Sequence, residues 1–223
     1  MTPAVDRALD ARLRQTLGRS ADPIHAAAAD ALRRRGVRGH LVDLGCGTGR
    51  LRAFLDEVST TYLGVDAMRH AGFPAEVPFL AADLNRTPIA LPNDTADAIA
   101  AVETIEHLEN PRAFCREIVR LLKPGGWLVV TTPNQRSAVS LGSLLVKGHF
   151  AEFQDNNYPA HQTALLDTDL RRIAAENGLD QVAIEFTHVG RVPFTARHYP
   201  SSVARVFPRA CSDNVLLVAR KRP

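Results

Sequence analysis

Three glycines at alternate positions, Gly45, Gly47 and Gly49, follow the apolar run Leu41-Val42-Asp43-Leu44 and lead into a helical pattern. Glycine lets a backbone turn sharply and come close to a ligand. At the carboxyl end of a first strand that geometry makes a nucleotide-sized pocket. The G-x-G-x-G spacing departs from the G-x-G-x-x-G of dinucleotide-binding proteins, and no lysine follows it as in a P-loop. Two acids close the next apolar runs. Asp66 ends Tyr62-Leu63-Gly64-Val65-Asp66, where a carboxylate can accept hydrogen bonds from ribose hydroxyls, and Asp83 follows Phe79-Leu80-Ala81-Ala82, where it can accept one from an exocyclic base amine.

A second constellation is Glu103, Glu106 and His107, with His161 far along the chain. Imidazole titrates near neutral pH, so His107 is a candidate general base and His161 a second base or acceptor-binding group. A purely structural His107, bonded to loop backbone, is the competing reading. Glu-x-x-Glu-His also sets residues 103, 106 and 107 near one helical face, and two carboxylates with two imidazoles can bind a divalent metal. The assignment adopted has His107 and His161 as catalytic residues and no metal.

These residues need a scaffold that brings strand ends together. After residue 23 short aliphatic runs alternate with longer helical stretches, the pattern of a parallel sheet covered by helices. Helices are expected over 4–17, 24–35, 48–58, 111–122 and 167–177, and strands over 40–44, 61–65, 77–81, 96–102, 127–132, from 179 onward and over 215–219. The last strand is apolar throughout and therefore central or covered on both faces. Residues 133–166 are the least regular part, and a connection of that length in a compact α/β domain is expected to be a substrate lid. Within it His149, Phe150 and Asp155 to Asn157 are weaker candidates for acceptor contacts. The expected division is a helical cap over 1–36 and a ligand-binding domain over 37–223.

The glycine turn, Asp66, Asp83, Glu106-His107, Leu122-Lys123-Pro124-Gly125-Gly126-Trp127 and Thr131-Thr132-Pro133-Asn134 occur in the order found in class I S-adenosylmethionine-dependent methyltransferases, which the chain resembles over roughly 41–134. The Glu-His after strand four resembles the branch of quinone, sugar and natural-product O-methyltransferases. The resemblance implies a Rossmann-like, doubly wound α/β fold: a seven-stranded sheet with one antiparallel strand behind an N-terminal helical cap. It implies S-adenosyl-L-methionine as cofactor. Gly45, Gly47 and Gly49, with Cys46, would cradle its methionine portion, Asp66 and Ala67 would hold the ribose, and Asp83 with Leu84 would meet the adenine. Asp43 would orient the loop or reach the cofactor's amino group, and Glu103 would stand beside it. The implied function is methylation of a small-molecule acceptor, at oxygen.

Two alternatives belong to other classes. Glu103, Glu106, His107 and His161 also resemble the set that holds a metal in small-RNA 2′-O-methyltransferases, although no RNA-binding module accompanies them. A noncatalytic protein that binds S-adenosylmethionine would keep the same cofactor positions. The 223 residues carry a net charge of +3. That small excess, with no aromatic interleaving among the C-terminal arginines, makes nucleic acid an unexpected partner. No apolar run approaches a membrane span. Three cysteines, Cys46, Cys115 and Cys211, suit free thiols in a reducing cytoplasm. A homodimer is compatible with all of this.

Overall fold

The computed structural model describes residues 18–56, 58 and 61–223. The expected helix over 4–17 lies outside the described residues. Helix α1 (Asp22–Arg33) precedes strand β1 (His40–Leu44), and β2 (Thr61–Asp66), β3 (Phe79–Ala81) and β4 (Ala96–Ala101) follow. Helix α2 (Pro111–Leu121), β5 (Leu122–Pro133), α3 (Ala138–Lys147), α4 (Asp167–Glu176), β6 (Leu179–Phe186), α5 (Ser201–Val206) and β7 (Asn214–Lys221) complete the chain.

The strands form one seven-stranded sheet in the order β3-β2-β1-β4-β5-β7-β6. Strands β1 to β5 pair in parallel, and β7 runs antiparallel to both neighbours, β5 and β6. This is the doubly wound arrangement with one antiparallel strand, and β7 is interior as its apolar run requires. Successive residues point to opposite faces of a strand, and here both faces are apolar. Val42, Ile99, Leu128 and Leu217 pack with Phe114, Ile118 and Leu170 of α2 and α4. Leu41, Ala98, Val129 and Leu216 pack with Ala28 and Leu32 of α1 and with Leu51.

Four expectations are corrected. The helix over 48–58 is instead a short 3-10 turn, Arg50–Phe54, capped by Gly49 in the left-handed conformation. The turn's backbone bonds reach back three residues rather than four, from Arg52 to Gly49 and from Leu55 to Arg52, the tighter winding of short 3-10 pieces. Strand β3 is shorter than 77–81 because Pro78 has no amide to give the ladder. Strand β5 begins at Leu122, not 127, because Leu122 pairs with Ala96 before a register shift brings Trp127 opposite Ala98, with Lys123 to Gly126 bulging between. The 133–166 segment contains α3, with the Ser137 side chain accepting from the Ser140 amide at its start and left-handed Gly148 at its end.

Order of strands matters for the site. The sheet winds outward in both directions from β1 and β4, and the crevice outside their carboxyl ends is where such a sheet takes a ligand.

Candidate active site

A cavity of about 400 Å³ opens at that crevice. Gly45, Cys46, Gly47, Asp66 and Ala67 line it together with Glu106, His107 and His161. Asp83, Leu84 and Glu103 line it as well.

The glycine loop holds its shape through backbone conformations that side chains rarely adopt. Gly45 and Gly47 have φ of +79° and +51°, and a Cβ on either would collide, at Gly45 with Thr104 and at Gly47 with the Gly18 carbonyl. Thr104 secures its own contact by donating to the Leu44 carbonyl at 3.1 Å. The loop's amides are all used inside the protein. Gly45 and Cys46 donate to the Val65 carbonyl, Thr48 to Gly18 and Gly49 to Cys46, and Gly47 donates to Asp66 Oδ2 at 2.9 Å. A phosphate cradle works by aiming free amides at the anion, and this loop aims none. The pocket therefore suits a nucleoside ligand without a phosphate at the loop.

Asp66 spans loop and ligand space. Its Oδ1 accepts from the Ala67 amide at 2.7 Å, and each oxygen keeps lone-pair capacity for a hydroxyl. Burial pushes its pKa up, against the two amide bonds that favour the charged form. Asp83 Oδ1 accepts from the Asn85 amide at 3.0 Å. Asp43 and Gly49, both expected at the cofactor, do not line the cavity. Asp43 lies behind the loop with Oδ2 accepting from the Tyr62 hydroxyl at 2.6 Å, and Gly49 packs toward Phe73.

Glu103 follows β4 with a left-handed φ of +50°, strained for a residue with a Cβ. Its carboxylate accepts from Thr131 Oγ1 at 2.9 Å and Asn214 Nδ2 at 2.8 Å. Those two bonds anchor the turn that sends the chain into the Glu106-His107 step. Burial, with Glu106 nearby, holds the Glu103 pKa well above the usual carboxylate range.

The strap 160–163 is tied to this step. Gln162 and Thr163 amides donate to the Glu106 carbonyl at 2.9 and 3.0 Å. His107 Nδ1 meets the Ala160 carbonyl at 2.8 Å, and His161 Nδ1 meets the Glu152 carbonyl at 2.5 Å. The two rings lie 4.9 Å apart. Burial lowers the pKa of both; the Ala160 and Glu103 carbonyls oppose it at His107, and the His107 charge adds to it at His161. Both rings are thus neutral at pH 7, with the proton on Nδ1 because a carbonyl can only accept.

Sequence reasoning missed several lining residues. Gly18 to Ala21, Ile24 and His25 come from the approach to α1 and its first turn, and Glu152, Arg191, Asp213 and Asn214 from distant loops. His25 is buried with neither ring nitrogen bonded to protein, and burial drops its pKa to about 4. On the sequence it is one more residue on an apolar helix face. Only the fold turns it to the cavity.

The chain matches a family profile described as a methyltransferase domain over residues 11–184. It belongs to that family. A ubiquinone biosynthesis O-methyltransferase of Cereibacter sphaeroides is 32% identical over 107 residues, which cover 43% of this chain and 41% of that protein. The match spans 36% of an uncharacterized methyltransferase of Mycobacterium leprae and 66% of a ubiquinone biosynthesis O-methyltransferase of Burkholderia pseudomallei, to which the chain is 23% identical. Among solved structures, an S-adenosylmethionine-dependent methyltransferase from Archaeoglobus fulgidus superposes with a TM-score of 0.61 at 20% identity, over 88% of this chain and 94% of that one. The Burkholderia thailandensis 1,6-didemethyltoxoflavin-N1-methyltransferase, solved with its substrate and S-adenosylhomocysteine, gives 0.60 at 16% identity, over 99% and 86%. At those identities the likeness is one of fold. Loop, fold and family are together those of an S-adenosylmethionine-dependent methyltransferase.

Among the described residues no helix is long and apolar enough to cross a membrane.

Proposed function

We propose that this methyltransferase transfers a methyl group to an oxygen of a small-molecule acceptor. One observation carries the reading: a single cavity joins the glycine loop to two half-buried, neutral imidazoles and the buried Glu106 carboxyl. S-adenosylmethionine supplies a methyl carbon made electrophilic by its sulfonium. Gly45, Gly47 and Asp66 would hold it at the loop end, with Asp83 and Leu84 beside the base, and the acceptor would enter against His107 and His161. A hydroxyl must give up its proton as it reacts. Two unprotonated Nε2 atoms favour that as hydrogen-bond acceptors. The O-methyltransferase among the relatives supports oxygen as the methylated atom.

The expected cap and lid fit this reading. Ile24 and His25 of α1 line the cavity, and so do Glu152 and His161 of the 133–166 segment. On the rim Arg50 is paired with Asp22 and Arg191 with Glu152 and Asp213, so these two cations are engaged rather than offered to the phosphates that the RNA alternative needs bound.

Calorimetric titration with S-adenosylhomocysteine, on the wild type and Asp66→Ala, tests the cofactor half. Micromolar binding that the variant loses is the expected result, and a wild type that gives neither heat nor thermal shift would end the reading. Transfer of labelled methyl to a panel of catechols, sugars and phenols, against matched amines, tests the acceptor half, with hydroxyl compounds expected to be the substrates.

A further inference from the structure

We propose that Glu106, His107 and His161 form a binding site for one divalent transition-metal ion at the acceptor end of the cavity. One donor atom from each of the three residues lies within 4.8 Å of the other two. Three ligands bound at about 2.1 Å and evenly spread stand at most about 3.6 Å from one another, so the donors must close by up to about 1 Å to complete the set.

The first independent observation is Glu106. Its side chain is fully buried, and neither carboxylate oxygen makes a well-formed hydrogen bond; the Thr132 hydroxyl and its own amide favour the charged form without offsetting burial. Buried polar atoms are normally satisfied, and an exception asks for a missing partner. The partner is not Glu103, which is itself acidic and whose oxygens are taken by Thr131 and Asn214. A cation bound between the carboxylate and the imidazoles supplies it.

The second is the orientation of the imidazoles. Each Nδ1 is held by a backbone carbonyl, Ala160 for His107 and Glu152 for His161. That bond puts the proton on Nδ1 and leaves the lone pair on Nε2. Metal-binding histidines are oriented in this way, with the non-ligating nitrogen donating to a carbonyl or carboxylate. Two imidazoles and one carboxylate are a borderline donor set suited to Zn²⁺, Fe²⁺, Co²⁺ or Mn²⁺ rather than Ca²⁺, and three protein ligands leave coordination positions open. If the methyltransferase reading holds, on which only this last step rests, an acceptor hydroxyl takes an open position, and the ion, which then occupies both Nε2 lone pairs, replaces the imidazoles' hydrogen bonds to that hydroxyl and lowers the cost of losing its proton to solvent.

The test uses the full chain after treatment with a chelator, titrated with Co²⁺ and followed by its visible ligand-field absorption. Zn²⁺ calorimetry on the same preparation gives stoichiometry. One ion per chain is expected, with affinity reduced at least tenfold in both Glu106→Gln and His161→Ala and unchanged in His40→Ala, whose imidazole lies at the start of β1. Circular dichroism and melting of each variant check folding. If one variant fails to fold, the other decides. Absence of stoichiometric Co²⁺ binding in the wild type, or binding that the folded variants share, overturns the site. S-adenosylhomocysteine titration of the same samples separates the two readings: metal can fail while the nucleoside binds, or bind while it does not.

Discussion

Asp43 is fully enclosed behind the glycine loop, and its protonation is set there. Burial pushes its pKa up to about 7, the nearby Asp66 charge adds to the rise, and the Tyr62 hydroxyl donating to Oδ2 opposes it. The facing groups are Tyr62, Asp66 and the Cys46 thiol, itself held up by burial and by the two carboxylates. An acid whose folded pKa is raised binds a proton in the folded state while the unfolded chain has lost it. Its contribution to stability is therefore present below the ordinary carboxylate range and declines as pH rises from about 4 to about 7. Each tenfold change in proton affinity is worth about 1.4 kcal/mol, which makes the full effect on the order of 4 kcal/mol, an upper figure for so enclosed a group. Asp43→Asn keeps an acceptor for Tyr62 and removes the charge. We expect the melting temperature of the variant to fall less between pH 5 and pH 8 than that of the wild type. Parallel melting curves would show that Asp43 does not titrate in this window. Asp66 shifts in the same direction, so some slope remains in the variant.

At the scale of elements, the loop between β1 and the 3-10 turn is where sequence and backbone agree most closely. A methyl at Gly47 meets the Gly18 carbonyl, which is backbone and cannot swing away, whereas one at Gly36 meets nothing within 4 Å; both glycines have a positive φ. Gly36→Ala should cost only the left-handed penalty, about 1 kcal/mol, with S-adenosylhomocysteine affinity unchanged. Gly47→Ala should lower that affinity at least tenfold, because Gly18 and the loop must separate. Equal affinities in the two variants, by calorimetry, would mean that the loop yields freely. The glycines were legible because a sharp turn admits few other residues, and Asp66, Asp83 and the Glu-His step because they end apolar runs. Helix α3 was not read from the sequence, although Ser137 and Gly148 stand at its two ends. Its apolar residues gave no reliable face, since Leu145 and Val146 are 86% and 71% exposed. The 3-10 turn was misread as a helix because the pattern of Leu51 and Phe54 serves both. His25, Glu152, Arg191 and Asn214 carry no local mark, and reach the cavity only through pairings between distant segments.

Across the whole molecule, the cavity is built from the sheet's carboxyl edge but closed by chain that lies outside the sheet. The fixed wall is β1, β2 and β4. The closing wall is the 133–166 segment, and two ties hold it: the strap of Gln162 and Thr163 on the Glu106 carbonyl, and Arg191, which donates to Glu152 at 2.6 Å and to Asp213 at 2.7 Å. The strap is backbone to backbone and sits directly on the Glu106-His107 step. The Arg191 tie is partly exposed, so as a contributor to global stability it is worth little; its effect is local, setting how often the 148–157 stretch opens. Glu152 also gives its carbonyl to His161, so an opening there releases the imidazole. Arg191→Ala should therefore leave the melting temperature nearly unchanged and S-adenosylhomocysteine affinity within about twofold, while raising KM for the acceptor and speeding proteolytic cleavage within 148–157. Added salt should move the wild type in the same direction and the variant hardly at all, since screening acts on the charge pair that the variant lacks. A variant cleaved at the wild-type rate would leave the strap as the tie that holds the acceptor end closed.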